Sequence, residues 1–330
     1  DVNSRIADLE RSLSELRNER VIVQGRLDAY KYPVLTLPNE IVSEIFMHFI
    51  PVYPRPPRLT GTHSPTHLTQ ICRKWRDIAL ATPSLWRAIG LIQPERISYK
   101  QQNQIFEAWI RRSGACHLAI NIEYFGGYSF SPEEIPAVIS QRPRWEHLKM
   151  DVHPHALAVI NGPMPQLRHL DILFCGYYLS IPFEFRDVPL LRRATLRGLM
   201  ASKAVILPWE QLTYLELRKV DGTRCVAILQ QTTTLVHCVL ELFTLGLVVS
   251  YPGLITLPCL ESLVVKARPG LNLGEEPDPG GFLRSFIVPA LRSFELDEKF
   301  LGLGSDPITS LESFISQSGC RLQRVRIRGR

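Results

Sequence analysis

The chain has 330 residues, of which 45% are apolar and 21% are charged, and its formal net charge is +6. This composition is that of an ordinary globular protein and excludes a disordered or fibrous chain. The positive surplus is small for this length, so it does not by itself require a nucleic-acid partner. No apolar run approaches the roughly 18 residues that a membrane-spanning helix needs.

The seven cysteines favour a reducing compartment. Their number is odd, none lies in a Cys-x-x-Cys pair, and Cys238 and Cys259 lie in or beside apolar stretches. No Asn-x-Ser/Thr glycosylation acceptor is present. We therefore expect buried thiols rather than a disulfide framework, in an intracellular protein of the cytoplasm or nucleus.

The first thirty residues carry the apolar stripe of a coiled coil. Large side chains recur at alternating spacings of three and four, and one arginine interrupts them. We expect one helix over residues 1–31. Its stripe either pairs with a second copy, giving a homodimer through residues 6–30, or packs on the next domain or on a partner. The stripe consists of Ile6, Leu9, Leu13, Leu16, Arg20, Val23, Leu27 and Tyr30.

A short helix is predicted to start at Pro38, because the first turn of a helix does not need the N–H that proline lacks. Ile41, Ile45 and Phe46 recur at helical spacing and would share its apolar face. Pro51 ends this helix.

Residues 51–66 contain five prolines, which predicts an extended and mobile loop. His63 and His67 lie four residues apart in this region, but without a helix to fix them a chance pair is far more common than a metal site. A continuous helix is expected over residues 68–80, followed by an apolar turn at residues 82–86. Residues 101–112 have the pattern of a further helix, and the alternation at 118–122 that of a strand.

The second half of the chain repeats the pattern Leu-x-x-Leu-x-Leu, with a period of roughly 20 to 30 residues. Each unit would lay one strand beside the previous one and stack its apolar side chains inward. The predicted fold is therefore an α+β chain ending in an α-β solenoid, an irregular leucine-rich-repeat array with a curved parallel sheet. An unrelated sheet protein with similar alternation is the alternative. The units begin at Trp145, Leu167, Leu191, Leu212, Leu235, Leu260, Leu291 and Leu322.

The outward positions of these strands carry charges of both signs. Such a surface suits a protein partner better than DNA. The positions are His147, Lys149, Asp171, Arg193, Thr195, Tyr214, Glu216, Arg218, His237, Glu241, Lys266, Glu295, Asp297, Arg324 and Arg326.

Catalytic and metal-binding patterns are absent from the sequence. Phosphate-binding glycine loops, Gly-x-Ser-x-Gly and His-Glu-x-x-His do not occur. His153 and His155 flank a proline and have no ligand set nearby. We therefore expect neither an enzyme nor a cofactor or metal. The arginines of residues 321–330 either bind an acidic or phosphorylated group or lie solvated on a terminal strand.

Residues 37–86 resemble an F-box, in the form that is common in large fungal, mushroom-type families. The resemblance rests on three segments that occur in the family's order, although the loop between the first two is longer than in a compact F-box. The segments are Leu37-Pro38-x-Glu40-Ile41-x-x-x-Ile45-Phe46, Cys72-Arg73-x-Trp75-Arg76-x-Ile78-Ala79 and Thr82-Pro83-x-Leu85-Trp86.

This resemblance implies a non-catalytic adaptor. The F-box, residues 35–90, would bind the Skp-type adaptor of an SCF ubiquitin ligase and, through it, a cullin–RING scaffold. After a connector at 91–142, the repeats of 143–330 would bind a protein client for ubiquitination through the outward positions. The adaptor-binding residues would be Leu37, Pro38, Glu40, Ile41, Ile45 and Phe46, with Ile71, Cys72, Trp75, Leu85 and Trp86 completing either that contact or the core of the F-box.

Two other functions remain open from the sequence. One is a non-catalytic interaction scaffold whose F-box does not dock. The other is a nucleic-acid binder that uses the basic end, which the mixed charges of the outward positions disfavour.

Overall fold

The structure is a computed structural model, and it describes residues 1–29, 33–91, 99–122, 135–152, 160, 162–174, 183–185, 187–198, 205–244, 254–267, 279–301 and 307–329.

Helix α1 spans Val2–Ala29 and does not pack on the rest of the described chain. None of its residues is buried, and stripe residues such as Leu9 and Leu16 are well over half exposed. The expectation that the stripe packs on the next domain is therefore wrong for the part described. Tyr30, the last member of the stripe, lies outside the described residues.

Three short helices follow: α2 (Asn39–Phe49), α3 (Pro65–Ile71) and α4 (Arg73–Leu80). The expected continuous helix over 68–80 is in fact two helices, because Cys72 is extended, with φ −153° and ψ 170°. Both helices have a side-chain cap, which satisfies a free backbone N–H of the first turn. Ser64 Oγ accepts from Thr66 N at 3.2 Å, and Cys72 Sγ accepts from Trp75 N at 3.4 Å.

Aromatic rings form the core of this helical unit. Phe46 packs edge-on against Trp75, with ring centroids 5.0 Å apart. Trp86 is fully buried, donates its Nε1–H to the carbonyl oxygen of Ala79 at 2.9 Å, and packs against Trp109 with centroids 5.6 Å apart. Trp109 belongs to helix α5 (Tyr99–Arg112), so the helical unit and the following segment share one core.

A ten-stranded parallel sheet forms most of the remaining described chain. Its strands lie in chain order, and each pairs with the next member, which is the arrangement that the repeat predicts. The strands are β1 (Ala88–Leu91), β2 (Leu118–Ile122), β3 (Trp145–Val152), β4 (His169–Phe174), β6 (Arg193–Arg197), β8 (Tyr214–Asp221), β9 (His237–Thr244), β11 (Ser262–Ala267), β13 (Ser293–Asp297) and β14 (Arg324–Arg328).

The inward side chains of neighbouring strands are in register and form continuous apolar columns. One column includes Leu170, Ala194, Leu215 and Cys238, all of which are buried. Each buried leucine of this kind contributes about 1.5–3 kcal/mol relative to an exposed one. On β14 the inward Val325 and Ile327 are more than two-fifths exposed, since β14 is the last strand of the described sheet.

The sheet begins earlier than the sequence predicts. β1 and β2 pair with each other and with β3, so two strands precede the expected first repeat at residue 143. The short apolar segment Ala88–Leu91 carries no repeat pattern, and residues 118–122 fall within the predicted connector.

Small elements complete the described fold. Helices α6 (Pro136–Ile139), α7 (Gly222–Leu229), α8 (Pro279–Arg284) and α9 (Pro307–Ser318) lie between strands, and two-stranded sheets pair β5 (Phe183–Glu184) with β7 (Val205–Ile206) and β10 (Ile255–Thr256) with β12 (Phe286–Ile287). Phe314 of α9 stacks on Phe294 of β13 at 5.0 Å, which covers the inward face of the sheet at that end.

The expectation that the cysteines are buried holds for only some of them. Cys225, Cys238 and Cys320 are buried, whereas Cys259 is exposed on the turn that precedes β11. Burial raises the pKa of the Cys225 and Cys238 thiols. The six cysteines that the structure describes are all free. Among the described helices, none has the length and apolar character of a transmembrane segment.

Candidate protein-interaction faces

Exposed isoleucines mark one face of the helical unit. Ile41 and Ile45 are 50% and 44% exposed, and they lie one turn apart on α2, so they share a side of that helix. Ile71, at the end of α3, is also 50% exposed. Large apolar side chains displayed on short helices are typical of surfaces that a partner covers.

The other predicted adaptor-binding residues differ in solvent exposure and fall into three groups. Pro38 and Glu40 are exposed, and Leu37, Cys72 and Trp75 are partly buried. Phe46, Leu85 and Trp86 are at most 1% exposed. The expectation that Phe46 faces outward is wrong, because Phe46 and Val42 form the inner side of α2 while Ile41 and Ile45 form the outer side.

Lys74 fixes the chain that enters α2. Its Nζ atom donates to the carbonyl oxygens of Leu35 and Leu37, at 2.7 Å and 3.0 Å. These bonds hold the segment before α2 against α4. The start of the exposed face is therefore set by a lysine at the unspecified position between Arg73 and Trp75 of the second matching segment.

The strand register arranges the outward side chains in rows, and together we call these rows the polar face. Row one contains Ala119, His147, His169, Arg193, Tyr214, His237, Ser262, Ser293 and Arg324; row two contains Asn121, Lys149, Asp171, Thr195, Glu216, Val239, Val264, Glu295 and Arg326; row three contains Asp151, Leu173, Arg197, Arg218, Glu241 and Lys266. Every outward residue predicted for a client lies in one of these rows except Asp297, which pairs with Arg328 of β14.

Most acidic side chains of the polar face pair with an arginine of row three or with Arg328 of β14. Arg197 Nη2 lies 3.0 Å from Asp171 and 3.7 Å from Asp151. Arg218 pairs with Glu216, and that hydrogen bond raises the pKa of the Arg218 guanidinium. The negative charges of this face are therefore largely compensated within the protein.

Row one has a different character, since its members include no carboxylate. The rings of His147 and His169 stack with centroids 4.2 Å apart, and the Arg193 guanidinium lies 5.1 Å from the ring centre of Tyr214. Burial, followed by the neighbouring His169, lowers the pKa of His147 to about 4, and burial and Arg193 lower the pKa of His169. Both imidazoles are thus neutral at pH 7.

The proline-rich loop packs against this row rather than extending freely. Pro57 and Leu59 are buried, and Tyr53 donates a hydrogen bond to Glu146 Oε2 at 2.9 Å. The Tyr53 ring also contacts the ring of His147 at 5.2 Å. The expected mobile loop is therefore a packed element that reaches the polar face.

A β-bulge makes this contact possible. The register between β2 and β3 shifts so that Leu118 faces Trp145 while Ala119 faces His147, which leaves Glu146 as the extra residue. Glu146 is further approached by Arg168 at 3.6 Å. The Arg87 guanidinium lies 3.9 Å from the centre of the Tyr53 ring. Sequence reasoning missed Tyr53 and Glu146, because neither belongs to a periodic pattern.

The loop and the strands enclose a cleft of about 440 Å³ at the first half of row one. We call it the row-one cleft. Pro54, Arg55 and Pro56 form its wall, and β2, β3, β4, β6 and β8 form its floor. Of the residues predicted for a client, His147, Lys149, Asp171, Arg193 and Tyr214 line it.

Not all of the arginines at residues 321–330 are available to a ligand. Arg328 pairs with Glu295, while Arg321, Arg324 and Arg326 are exposed and Arg330 lies outside the described residues. The rings of His63 and His67 both stack on Phe49. His67 lies on α3, so the expectation of no helix is wrong for His67, whereas His63 precedes the helix. His153 and His155 lie outside the described residues. No group of three or more metal-ligating side chains occurs in the part of the chain that the structure describes.

Comparison with known proteins identifies the helical unit. Residues 34–92 match the family model of the F-box-like domain, and this range contains α2, α3, α4 and β1. F-box domains usually bind Skp-type adaptors, and F-box proteins are typically non-catalytic adaptors of SCF-type ubiquitin ligases. Neither the curated proteins nor the solved structures gave a match to the chain.

Proposed function

We propose that the protein is the substrate-recognition subunit of an SCF-type ubiquitin ligase. The F-box-like domain docks on the Skp-type adaptor, which links it to a cullin–RING scaffold, and the polar face of the sheet binds a protein client. The observation that carries this proposal is the exposure of Ile41 and Ile45 on one side of α2, inside the matched residues 34–92. Such a subunit raises the local concentration of client and needs no catalytic group of its own.

The finer assignments belong to the same proposal. We infer that the sheet is an irregular leucine-rich-repeat array, which is supported by its chain-order parallel pairing and by the apolar columns of its inward residues. The proposed divisions are the helix of residues 1–31, the F-box of 35–90, the connector of 91–142 and the repeats of 143–330, with β1 and β2 extending the sheet of the repeats toward the F-box. We further propose a mushroom-type F-box protein of the cytoplasm or nucleus.

We also propose that α1 pairs with a second copy of the chain. Its stripe is exposed along the whole described helix. Burial of leucine and valine at alternating spacings of three and four is the usual cause of helix pairing in water.

Capture of the Skp-type adaptor tests the main proposal. Ile41→Asp and Ile45→Asp introduce charges on the exposed face and leave the buried side chains of α2 unchanged. Both variants should therefore stay folded and lose most adaptor binding. Ile308→Asp is the matched control, because Ile308 is 64% exposed on α9 and lies far along the chain from the matched domain.

The variants should be compared with the wild-type chain by co-purification with the adaptor. Equal adaptor capture by Ile41→Asp, Ile45→Asp and Ile308→Asp would refute docking through α2. A wild-type chain that captures no adaptor at all would favour the alternative, an interaction scaffold whose F-box does not dock.

A further inference from the structure

We propose that the row-one cleft binds an anionic side chain, a carboxylate or a phosphate, carried on an extended segment of the protein client. This inference rests on the proposed function, since it names the chemistry that the client site recognises. The cleft is the space of about 440 Å³ between the wall at Pro54–Pro56 and strands β2 to β8.

The row-one cleft carries more positive than negative charge that is not neutralised by an ion pair. Asp171 is the one lining carboxylate among the described residues, and Arg197 neutralises it at 3.0 Å. Arg55 in the wall and Arg193 in the floor have no carboxylate partner in the part of the chain that the structure describes. Arginine presents a planar fork of donors that matches carboxylate and phosphate geometry. The uncompensated charge therefore points to an anionic ligand.

The imidazoles supply neutral donors beside these arginines. His147 and His169 stack at the cleft floor, and Nδ1 of His169 is buried without a hydrogen-bond partner. A buried polar atom without a partner costs free energy, which a ligand atom at that position can recover. An acceptor or a donor on the ligand can satisfy this nitrogen, depending on the tautomer.

The size of the cleft favours a peptide segment over a single ion. Its floor crosses five neighbouring strands, which at about 4.8 Å between strands corresponds to roughly 19 Å. An extended peptide of five or six residues spans about that distance at roughly 3.3 Å per residue. Pro54 and Pro56 of the wall and the Tyr214 ring of the floor line the same space, so side chains beside the anion also find apolar contacts.

The test uses fluorescein-labelled heptapeptide pools with randomised neutral flanks and a fixed central residue, measured by fluorescence anisotropy on the full chain. The central residue is glutamate, phosphoserine, glutamine or lysine. The glutamate and phosphoserine pools should bind about tenfold or more tightly than the glutamine pool, because their oxygens accept charge-assisted hydrogen bonds from the arginines. The lysine pool should bind most weakly. Equal binding of the glutamine and anionic pools would overturn the proposal.

Two matched pairs of variants locate the site. Arg193→Glu should abolish the preference for anionic pools, whereas Arg324→Glu, in the same row but outside the cleft, should keep it. Arg55→Glu should weaken it, whereas Arg58→Glu, in the same loop but outside the cleft lining, should not. Loss of the preference in Arg324→Glu and its retention in Arg193→Glu would place the anion site elsewhere and reject the row-one cleft.

Inorganic phosphate separates a peptide site from a simple ion site. It should displace the phosphoserine pool only weakly, since it reaches the arginines but makes no contact with the prolines of the wall or the Tyr214 ring. Displacement as efficient as that by unlabelled peptide would show an ion site only and overturn the proposal.

Adaptor capture by the same preparations separates this inference from the proposed function. A chain that captures the adaptor but shows no anionic preference rejects the inference and leaves the receptor role intact. A chain that prefers anionic peptides but captures no adaptor supports the cleft and rejects the docking role.

Discussion

The phenol of Tyr53 donates a hydrogen bond of 2.9 Å to Oε2 of Glu146, which joins the loop after α2 to the bulge between β2 and β3. The two residues lie 93 positions apart in the chain. Burial and the neighbouring Glu146 raise the pKa of Tyr53, so its hydroxyl remains a donor throughout the physiological range.

Tyr53→Phe removes this bond and keeps the contacts of the ring with Arg87 and His147. We expect a loss of about 1–2 kcal/mol in the free energy of unfolding, because a partly buried carboxylate loses a hydrogen-bond donor. Urea denaturation measures the change. Val52→Ala is the matched control at the neighbouring residue, which is 82% exposed. A Tyr53→Phe chain as stable as Val52→Ala would contradict this role for the bond.

Phe46→Ala and Ile41→Ala should separate core from surface on the same helix. Phe46 is buried against Trp75, so its truncation should cost about 3–5 kcal/mol of stability. Ile41 is half exposed, and its truncation should change stability by about 0.5 kcal/mol or less. Thermal unfolding followed by circular dichroism compares the two. Similar losses of stability in both variants would show that the orientation of α2 in solution differs from that in this structure.

The self-pairing of α1 predicts a concentration-dependent dimer. At tens of micromolar, roughly the range in which a short coiled coil associates, light scattering should give twice the monomer mass. Leu13→Asp with Leu16→Asp should give a monomer, because both residues lie in the stripe. Val21→Asp, on the same helix but outside the stripe, should remain a dimer. A wild-type monomer at this concentration would reject self-pairing through α1.

The lowered pKa of His147 predicts a loss of stability in acid. The folded chain takes up this proton only near pH 4, whereas the unfolded chain takes it up near the usual value of 6.5. Between these values the unfolded state binds more protons, so stability is full above about pH 6.5 and falls as the pH drops toward 4.

His147→Phe should flatten that dependence while keeping the stack on His169. The measurement is the urea midpoint at several pH values between 4 and 7. Thr195→Val lines the same cleft without a titrating group and should follow the wild-type profile. An unchanged slope in His147→Phe would assign the acid sensitivity to other groups.

The cysteines should differ in reactivity according to burial. Cys259 is exposed and should be alkylated by iodoacetamide in the folded protein, whereas Cys225 and Cys238 are buried with raised pKa values and should stay unmodified. Mass spectrometry of peptides before and after unfolding in urea measures this. Rapid modification of Cys238 in the folded chain would contradict its place in the apolar column.

The parallel sheet was predictable because its cause is local. Each unit repeats the same inward positions, as at Leu170 and Leu215, and each strand pairs with the next along the chain. β1 could not be found in this way, since Ala88–Leu91 is a short apolar run whose position follows from pairing with β2. The repeat therefore predicts how the strands pair, but it does not predict which strand is the first of the sheet.

The helical unit was less predictable, because its details depend on tertiary contacts. Both sides of α2 are apolar, and only packing against Trp75 decides that Phe46 lies inside. The break at Cys72 depends on a thiol acting as a helix cap, which intrinsic propensity does not signal. The contact between Tyr53 and Glu146 follows from a bulge, and no sequence period indicates it.

Tyr53 lies only a few residues after Phe49, the last residue of α2. The chain therefore leaves the face proposed for the adaptor and almost immediately forms the wall of the cleft proposed for the client. A client segment bound in the cleft would therefore be held at a short and fixed distance from the adaptor-binding face. Which client lysines receive ubiquitin would then depend on their spacing from the bound segment, and lengthening the loop by a few residues would shift that choice.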